Sequence, residues 1–277
     1  MRLGLETDQH RVEWPDLLAR VRFAEDAGFD GAWIFDHFKA LYGEGPGPCL
    51  EGWTLLAALA AATTRVRLGT LVTGITYRPA SLLAAEAVTV DHVSGGRLEL
   101  AVGAAWNEQE HRELGFPFPP AAERIDRLEE GIEVIRLLMT GEPATFTGRY
   151  NQLKGAVFRP LPVQLPHPPL WIGGSGEQRM LPLVGRVADA WHCFAPPPVY
   201  ARKWSIVAQH AEKAGRDPET ILRSTNLSLS EPWDHVRRVA DAHRANGVGY
   251  LVCGWPSEGK ARLDEFVEHV MPELAAD

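Results

Sequence analysis

Two hydrophobic rhythms alternate along the chain. Short apolar runs with no polar face read as strands buried on both sides: Leu3 to Leu5, Ala32 to Phe35, Val66 to Val72, Arg97 to Val102, Leu170 to Ile172, Ala188 to Cys193, Ile221 to Leu229 and Val248 to Cys253. Amphipathic stretches at helical spacing separate them. After Trp14-Pro15, the residues Leu17, Leu18, Val21, Phe23 and Ala24 recur at that spacing, with Pro15 suited to a first helical turn. An Ala/Leu-rich helix ends near Thr64, and another runs from Pro79 to Val93 before Ser94-Gly95-Gly96. The strongest spans Ala121 to Met139, where Ile125, Leu128, Ile132, Ile135, Leu138 and Met139 form one stripe closed by Gly141. Later helices are expected up to Gly185, over 198–215, from Pro232 to Asn246 and from Gly259 to Leu274.

Strand followed by helix, repeated eight times, calls for a parallel sheet closed on itself. The expected fold is therefore α/β, a (β/α)8 TIM barrel, with residues 1–277 as one domain. Residues 142–168 break the rhythm. They suggest a loop/hairpin insertion between the fourth helix and fifth strand, with Thr145 to Tyr150 as a small hairpin and the segment as a candidate lid. Loops at 39–51, 142–168 and 253–259 are expected to shape a substrate pocket at the strand outlets.

Composition narrows the function. A net charge of -8 and a pI near 5.7 argue against a nucleic-acid binder and against anionic membrane surfaces. The N-terminus has no apolar stretch resembling a signal peptide, and the longest apolar run, Leu55 to Ala62, is too short to span a bilayer. Cys49, Cys193 and Cys253 are scattered, without a C-x-x-C pair, as expected of a reduced cytoplasm.

Four stretches carry candidate chemistry. Asp36-His37 ends the second strand, where α/β proteins keep their sites; the pair reads as a general acid–base couple, a cofactor clamp, or a histidine satisfied by backbone. Gly173-Gly174-Ser175-Gly176-Glu177 lies between a strand and a helix, as a phosphate cradle or as a tight turn. Thr70 to Gly74 offers a β-branched shelf beneath a flat ring, or ordinary packing. Gly103-Ala104-Ala105 allow close backbone approach, and Trp106 could cover an aromatic ring. The E-x-x-H spacing of Glu108 and His111 lacks the further acids of a di-iron site and reads as a solvated helix start. There is no H-E-x-x-H zinc motif and no Gly-x-Ser-x-Gly elbow, so no metal is expected.

Ordered blocks across nearly the whole chain resemble the luciferase-like monooxygenase superfamily, and within it the oxidoreductases dependent on coenzyme F420. The blocks are Ala24-Glu25-x-x-Gly28-Phe29-Asp30, Trp33-x-x-Asp36-His37, Arg65 to Thr70, Ser94 to Leu100 and Trp106-Asn107-Glu108-x-Glu110-His111. Ile172 to Glu177, Ala188-Asp189-Ala190-Trp191 and Val270-Met271-Pro272 complete them. The resemblance implies a deazaflavin across the barrel mouth, with His37 beside its reactive face and Asp36 nearby. It implies a non-proline cis peptide at Leu71–Val72 as a backstop, followed by Thr73. Gly103, Ala104, Ala105, Trp106 and Asn107 would line the cofactor, and Gly173, Gly174, Ser175, Gly176 and Glu177 would hold its phosphate.

The implied activity is hydride transfer between F420 and a small organic substrate, with His37 orienting the substrate or moving the proton. Sugar-oxidising relatives carry an acid after the fourth strand; that position aligns with Trp106 here, which speaks against a sugar phosphate. Glu108 is a weak candidate to replace that acid, and Glu6 is another acid that could face the mouth. Two competing readings share the scaffold: an FMN-dependent monooxygenase and a non-catalytic flavin- or deazaflavin-binding protein. The resemblance leaves a homodimer open.

Overall fold

The structure is a computed structural model that describes residues 1–276. Strands β1 (Arg2–Glu6), β2 (Gly31–Ile34), β3 (Arg67–Thr70) with its continuation β4 (Thr73–Gly74), and β5 (Leu98–Gly103) form the first half of a barrel. The hairpin strands β6 (Ala144–Thr147) and β7 (Gln152–Ala156) stand apart. Strands β8 (Leu170–Gly173), β9 (Ala190–His192), β10 (Leu222–Leu227) and β11 (Tyr250–Gly254) form the second half. The barrel runs β3-β2-β1-β11-β10-β9-β8-β5, all parallel, and the β3–β5 pairing closes it, with Leu68 opposite Leu98. This is the expected TIM barrel.

Among the described residues the α-helices are, in chain order, α1 (Trp14–Asp26), α2 (Gly52–Ala62), α3 (Ala80–Ser94), α4 (Glu108–Leu114), α5 (Ala121–Met139), α6 (Met180–Val187), α7 (Pro197–Lys213), α8 (Trp233–Ala245), α9 (Lys260–His269) and α10 (Met271–Ala275). The expected last helix is thus broken in two at Val270. The expected third strand also breaks: the Leu71–Val72 peptide is cis, and the chain re-enters the sheet as β4.

Inside the barrel, three rings fill the axis. Trp33 and Trp171 meet edge to face with centroids 4.9 Å apart, and Tyr250 packs against both. Their polar atoms are satisfied: Trp33 Nε1 donates to the Tyr250 hydroxyl at 3.1 Å, and Trp171 Nε1 to Glu99 Oε2 at 2.6 Å. Glycines on three neighbouring strands leave room for them. A methyl at Gly4 would lie 2.5 Å from the Tyr250 hydroxyl, one at Gly31 would clash with the same oxygen, and one at Gly69 would lie 2.6 Å from the Trp33 ring.

The insertion does not form a lid. The backbone N–H groups of Arg149, Tyr150 and Asn151 donate to Glu130 of α5, pinning the hairpin to the outer helix. The chain then descends: Gln164 binds Asp91 and Arg67 beside the amino ends of the strands, where β8 must begin. No helix among the described residues is long and apolar enough to cross a membrane.

Candidate active site

A cavity of about 400 Å³ opens at the carboxyl ends of the strands. It brings together Asp36 and His37 after β2, Leu71 and Val72 after β3, Gly103 to Trp106 after β5, and Gly173, Gly174 and Ser175 after β8. Neither 142–168 nor 253–259 contributes to its wall; from 39–51 the loop supplies Leu41 and Tyr42.

The two residues of the Asp36-His37 pair point to different partners. Asp36 is buried, and both its oxygens are taken: Arg78 donates to Oδ2 at 2.8 Å and to Oδ1 at 2.7 Å, and the Gly74 N–H donates to Oδ2 at 3.0 Å. Arg78 also meets Glu51 and Glu86. A carboxylate held by a bidentate guanidinium is poorly placed to exchange protons with a ligand, which corrects the acid–base reading of Asp36. Its role is to fix the end of β2 against the turn after β4.

His37 stands over the cavity. Its Nδ1 lies 2.8 Å from Glu110 Oε2, so Nδ1 carries the proton and Nε2 is left as the acceptor of the neutral ring. Nε2 takes no hydrogen bond from the described residues. Glu110 also accepts from the Phe38 N–H at 2.9 Å and from the Tyr77 hydroxyl. Burial raises the Glu110 carboxyl, but the contacts with His37, Tyr77 and Phe38 outweigh it and hold the group at about 2. It is a fixed anion behind the imidazole. Burial, together with the bond to Glu110, pushes the Tyr77 hydroxyl up.

Glu110 has no role foreseen from the sequence, and its helix departs from the solvated start expected around Glu108 and His111. The Asn107 side chain caps α4 by accepting from the Glu110 N–H at 3.1 Å, which sets the helix phase. Glu108 then faces solvent and pairs with Arg112, while Glu110 and His111 turn inward and are buried. His111 Nδ1 donates to the Asn107 carbonyl, so its Nε2 accepts from Thr76 at 2.6 Å. Its ring stacks on Tyr77 at 4.4 Å. Asn107 is therefore a helix cap and not a wall of the cavity. Glu6, the other candidate acid, is outside the cavity wall as well. Burial, then Asp8, pushes it up to about 7, and Asn226 donates to it at 3.4 Å.

Thr73 does not reach the mouth either. Its hydroxyl meets Thr70 at 2.6 Å and accepts from Trp53 Nε1 at 3.2 Å. Val72 does reach it, and the backbone closes around its side chain: methyls at Gly103 and Gly173 would lie 2.7 and 2.9 Å from Val72.

On the β8 side, the Gly174 N–H is used by the His192 carbonyl, whereas the N–H groups of Ser175, Gly176 and Glu177 have no backbone partner among the described residues. Three free amides ahead of α6 fit an anionic group. The Glu177 side chain turns away to Arg202 and Lys203, and Lys203 Nζ also donates to the Ser175 carbonyl at 2.7 Å. Only the backbone of Gly176 and Glu177 can therefore serve the cradle. Nearby His192 lines the cavity, with Nδ1 on Ser224 at 3.0 Å; burial pushes it down to about 4 and keeps it neutral. No group of three or more His, Cys, Asp or Glu among the described residues is arranged to hold a metal.

A family model described as luciferase-like monooxygenase matches residues 1–269. An F420-dependent glucose-6-phosphate dehydrogenase from Beutenbergia cavernae is 35% identical over 276 residues, covering 97% of this chain and 78% of that protein. The F420-dependent hydroxymycolic acid dehydrogenase of Mycobacterium tuberculosis is 34% identical over 229 residues, covering 81% of this chain and 61% of that protein. Among solved structures, an F420-dependent secondary alcohol dehydrogenase in complex with an F420–acetone adduct superposes with a TM-score of 0.87 at 21% identity, covering 100% of this chain and 99% of its own. The F420-dependent tetrahydromethanopterin reductase of Methanopyrus kandleri gives 0.84 at 19%, covering 99% of each chain. At those identities the superpositions speak for the fold.

Proposed function

The chain belongs to the luciferase-like monooxygenase family, and we propose that within it the protein is an oxidoreductase that uses coenzyme F420 to move a hydride to or from a small organic substrate. One observation carries the reading beyond kinship: the His37 imidazole, backed by Glu110, presents an acceptor nitrogen to a cavity whose far side ends in free backbone amides.

Those amides, on Ser175, Gly176 and Glu177, would hold the cofactor's phosphate, and Gly103 to Ala105 and Val72 would line its ring. Bound there, F420 supplies a ring carbon that takes or gives a hydride. The chain supplies the proton chemistry. When an alcohol is oxidised, His37 Nε2 takes the hydroxyl proton, and Glu110 balances the imidazolium that results. In the opposite direction the same nitrogen returns a proton to the carbonyl oxygen. Tyr77 and the Phe38 N–H hold Glu110 in place, so the imidazole keeps one orientation throughout.

A cytoplasmic location, in keeping with three free cysteines, and a homodimer belong to the same reading. Light scattering tests the dimer. The function itself is tested by titrating the protein with F420 and with FMN, then following hydride transfer on mixing with substrate. Saturable F420 binding is expected; tight FMN binding with none of F420 would overturn the assignment.

A further inference from the structure

We infer that the substrate is an uncharged molecule with a ring or comparably broad apolar body beside its alcohol or carbonyl carbon, and not a phosphorylated sugar. This rests on the oxidoreductase reading above and names the substrate class of that same site.

The first observation is the rim. Tyr42, Trp106 and Phe194 come from three different outlet loops and line one cavity, yet they are 60%, 64% and 68% exposed. Single exposed aromatics are ordinary, but three converging on one opening mark a surface built to be covered. Trp106 stands edge-on to the His37 ring, with centroids 5.8 Å apart. An apolar body among these rings would thus place its functional carbon beside Nε2.

The second observation is charge. Among the described residues no lysine or arginine lines the cavity, and the one carboxylate in its wall, Asp36, is consumed by Arg78. The cations that touch rim or lining residues are also engaged: Arg11 donates to the carbonyls of Tyr42, Glu44 and Gly45, Arg124 to those of Ala104 and Pro119, Lys203 to that of Ser175 and to Glu177, and Lys39 pairs with Glu113. His192 is held neutral. A phosphate ester at the His37 end would be desolvated with no counter-charge, which the site penalises. The free amides after β8 lie on the other side of the mouth, where on the proposed function they would hold the cofactor's own phosphate. What remains for the substrate is a wall without free charge, whose polar groups are His37 Nε2, the neutral His192 ring and the Tyr42 hydroxyl.

The test is calorimetry on the protein loaded with oxidised F420, using four probes: cyclohexanone, 2-acetonaphthone, glucose and glucose-6-phosphate. The two ketones are expected to bind at least about tenfold more tightly than either sugar. Tyr42→Ala and Phe194→Ala are both exposed substitutions. Each is expected to weaken ketone binding by about fivefold or more, with melting temperature and F420 affinity unchanged. Glucose-6-phosphate binding as tightly as the ketones, or being turned over, would overturn the inference, as would absence of ketone binding or indifference of both variants. The same titrations without cofactor separate the two readings: ketone preference retained in a protein that does not take up F420 would sink the cofactor assignment alone.

Discussion

Glu110 Oε2 lies 2.8 Å from His37 Nδ1, although 73 positions of chain separate the two residues. The short helix α4 brings the carboxylate behind the imidazole and turns its own neighbour, Glu108, out to solvent. Replacing the carboxylate by an amide keeps the shape and removes the charge. A glutamine at 110 can also donate to Nδ1, which would move the proton to Nε2. Glu110→Gln is therefore expected to slow single-turnover hydride transfer by about 10²-fold or more while leaving F420 affinity nearly unchanged. An unaltered rate would remove Glu110 from the mechanism.

The same carboxylate sets an acid limit on stability. Its ordinary value is 4.5, and the folded protein holds it at about 2. A depressed carboxyl contributes stability that is complete above the unfolded value and lost as pH falls toward the folded one. The stability gap between wild type and Glu110→Gln should therefore be widest at neutral pH and close between about 4.5 and about 2. Urea titrations at several pH values read this directly; a gap that widens in acid would contradict the assignment.

Arg78 and Asp36 form a buried pair, with side chains 6% and 0% exposed. Arg78→Met would strand Asp36 and Glu86 without their cation. The expected loss is about 3–5 kcal/mol of folding stability, measured by chemical denaturation. Arg78 lies outside the cavity wall, so the folded fraction of this variant should still bind F420.

Gly69 faces the Trp33 ring on one side and the Glu99 carbonyl on the other. A methyl would lie 2.6 Å from the ring and 2.7 Å from that carbonyl, and the backbone group cannot rotate away. Gly69→Ala should cost about 1–3 kcal/mol and lower the melting temperature without altering substrate preference.

At Gly173 the effect should be local. A methyl there meets Val72 at 2.9 Å and forces that side chain toward the cavity. Gly173→Ala is expected to weaken F420 binding by about tenfold with little change in melting temperature. Equal F420 affinity in the two proteins would argue against Val72 lining the cofactor.

The barrel was legible because parallel strands buried on both faces must read as unbroken apolar runs, and because helices must separate them. Asp36-His37 was legible as a position for the same reason: polarity at the end of such a run marks an outlet. Glu110 was harder to see. Its signal is the phase of one short helix, and that phase depends on Asn107 acting as the cap, which moves the buried face from Glu108 to Glu110 and His111. Thr73, expected beside the cis peptide, lies off the mouth because the chain re-enters the sheet there and turns its hydroxyl to Thr70 and Trp53. The insertion is no lid because its hairpin is tied to Glu130 on the outer helix and lines none of the site cavity, while Gln164 takes the rest of the segment to the amino end.

Trp33, Trp171 and Tyr250 stopper the cylinder along its axis. The reaction chamber is therefore a vessel with one neck. Whatever settles against the glycine-lined bottom has to arrive ahead of the molecule that lodges among the rings at the lip, and it departs after it. A compulsory order of arrival thus follows from the plug packed beneath Leu71 and Val72.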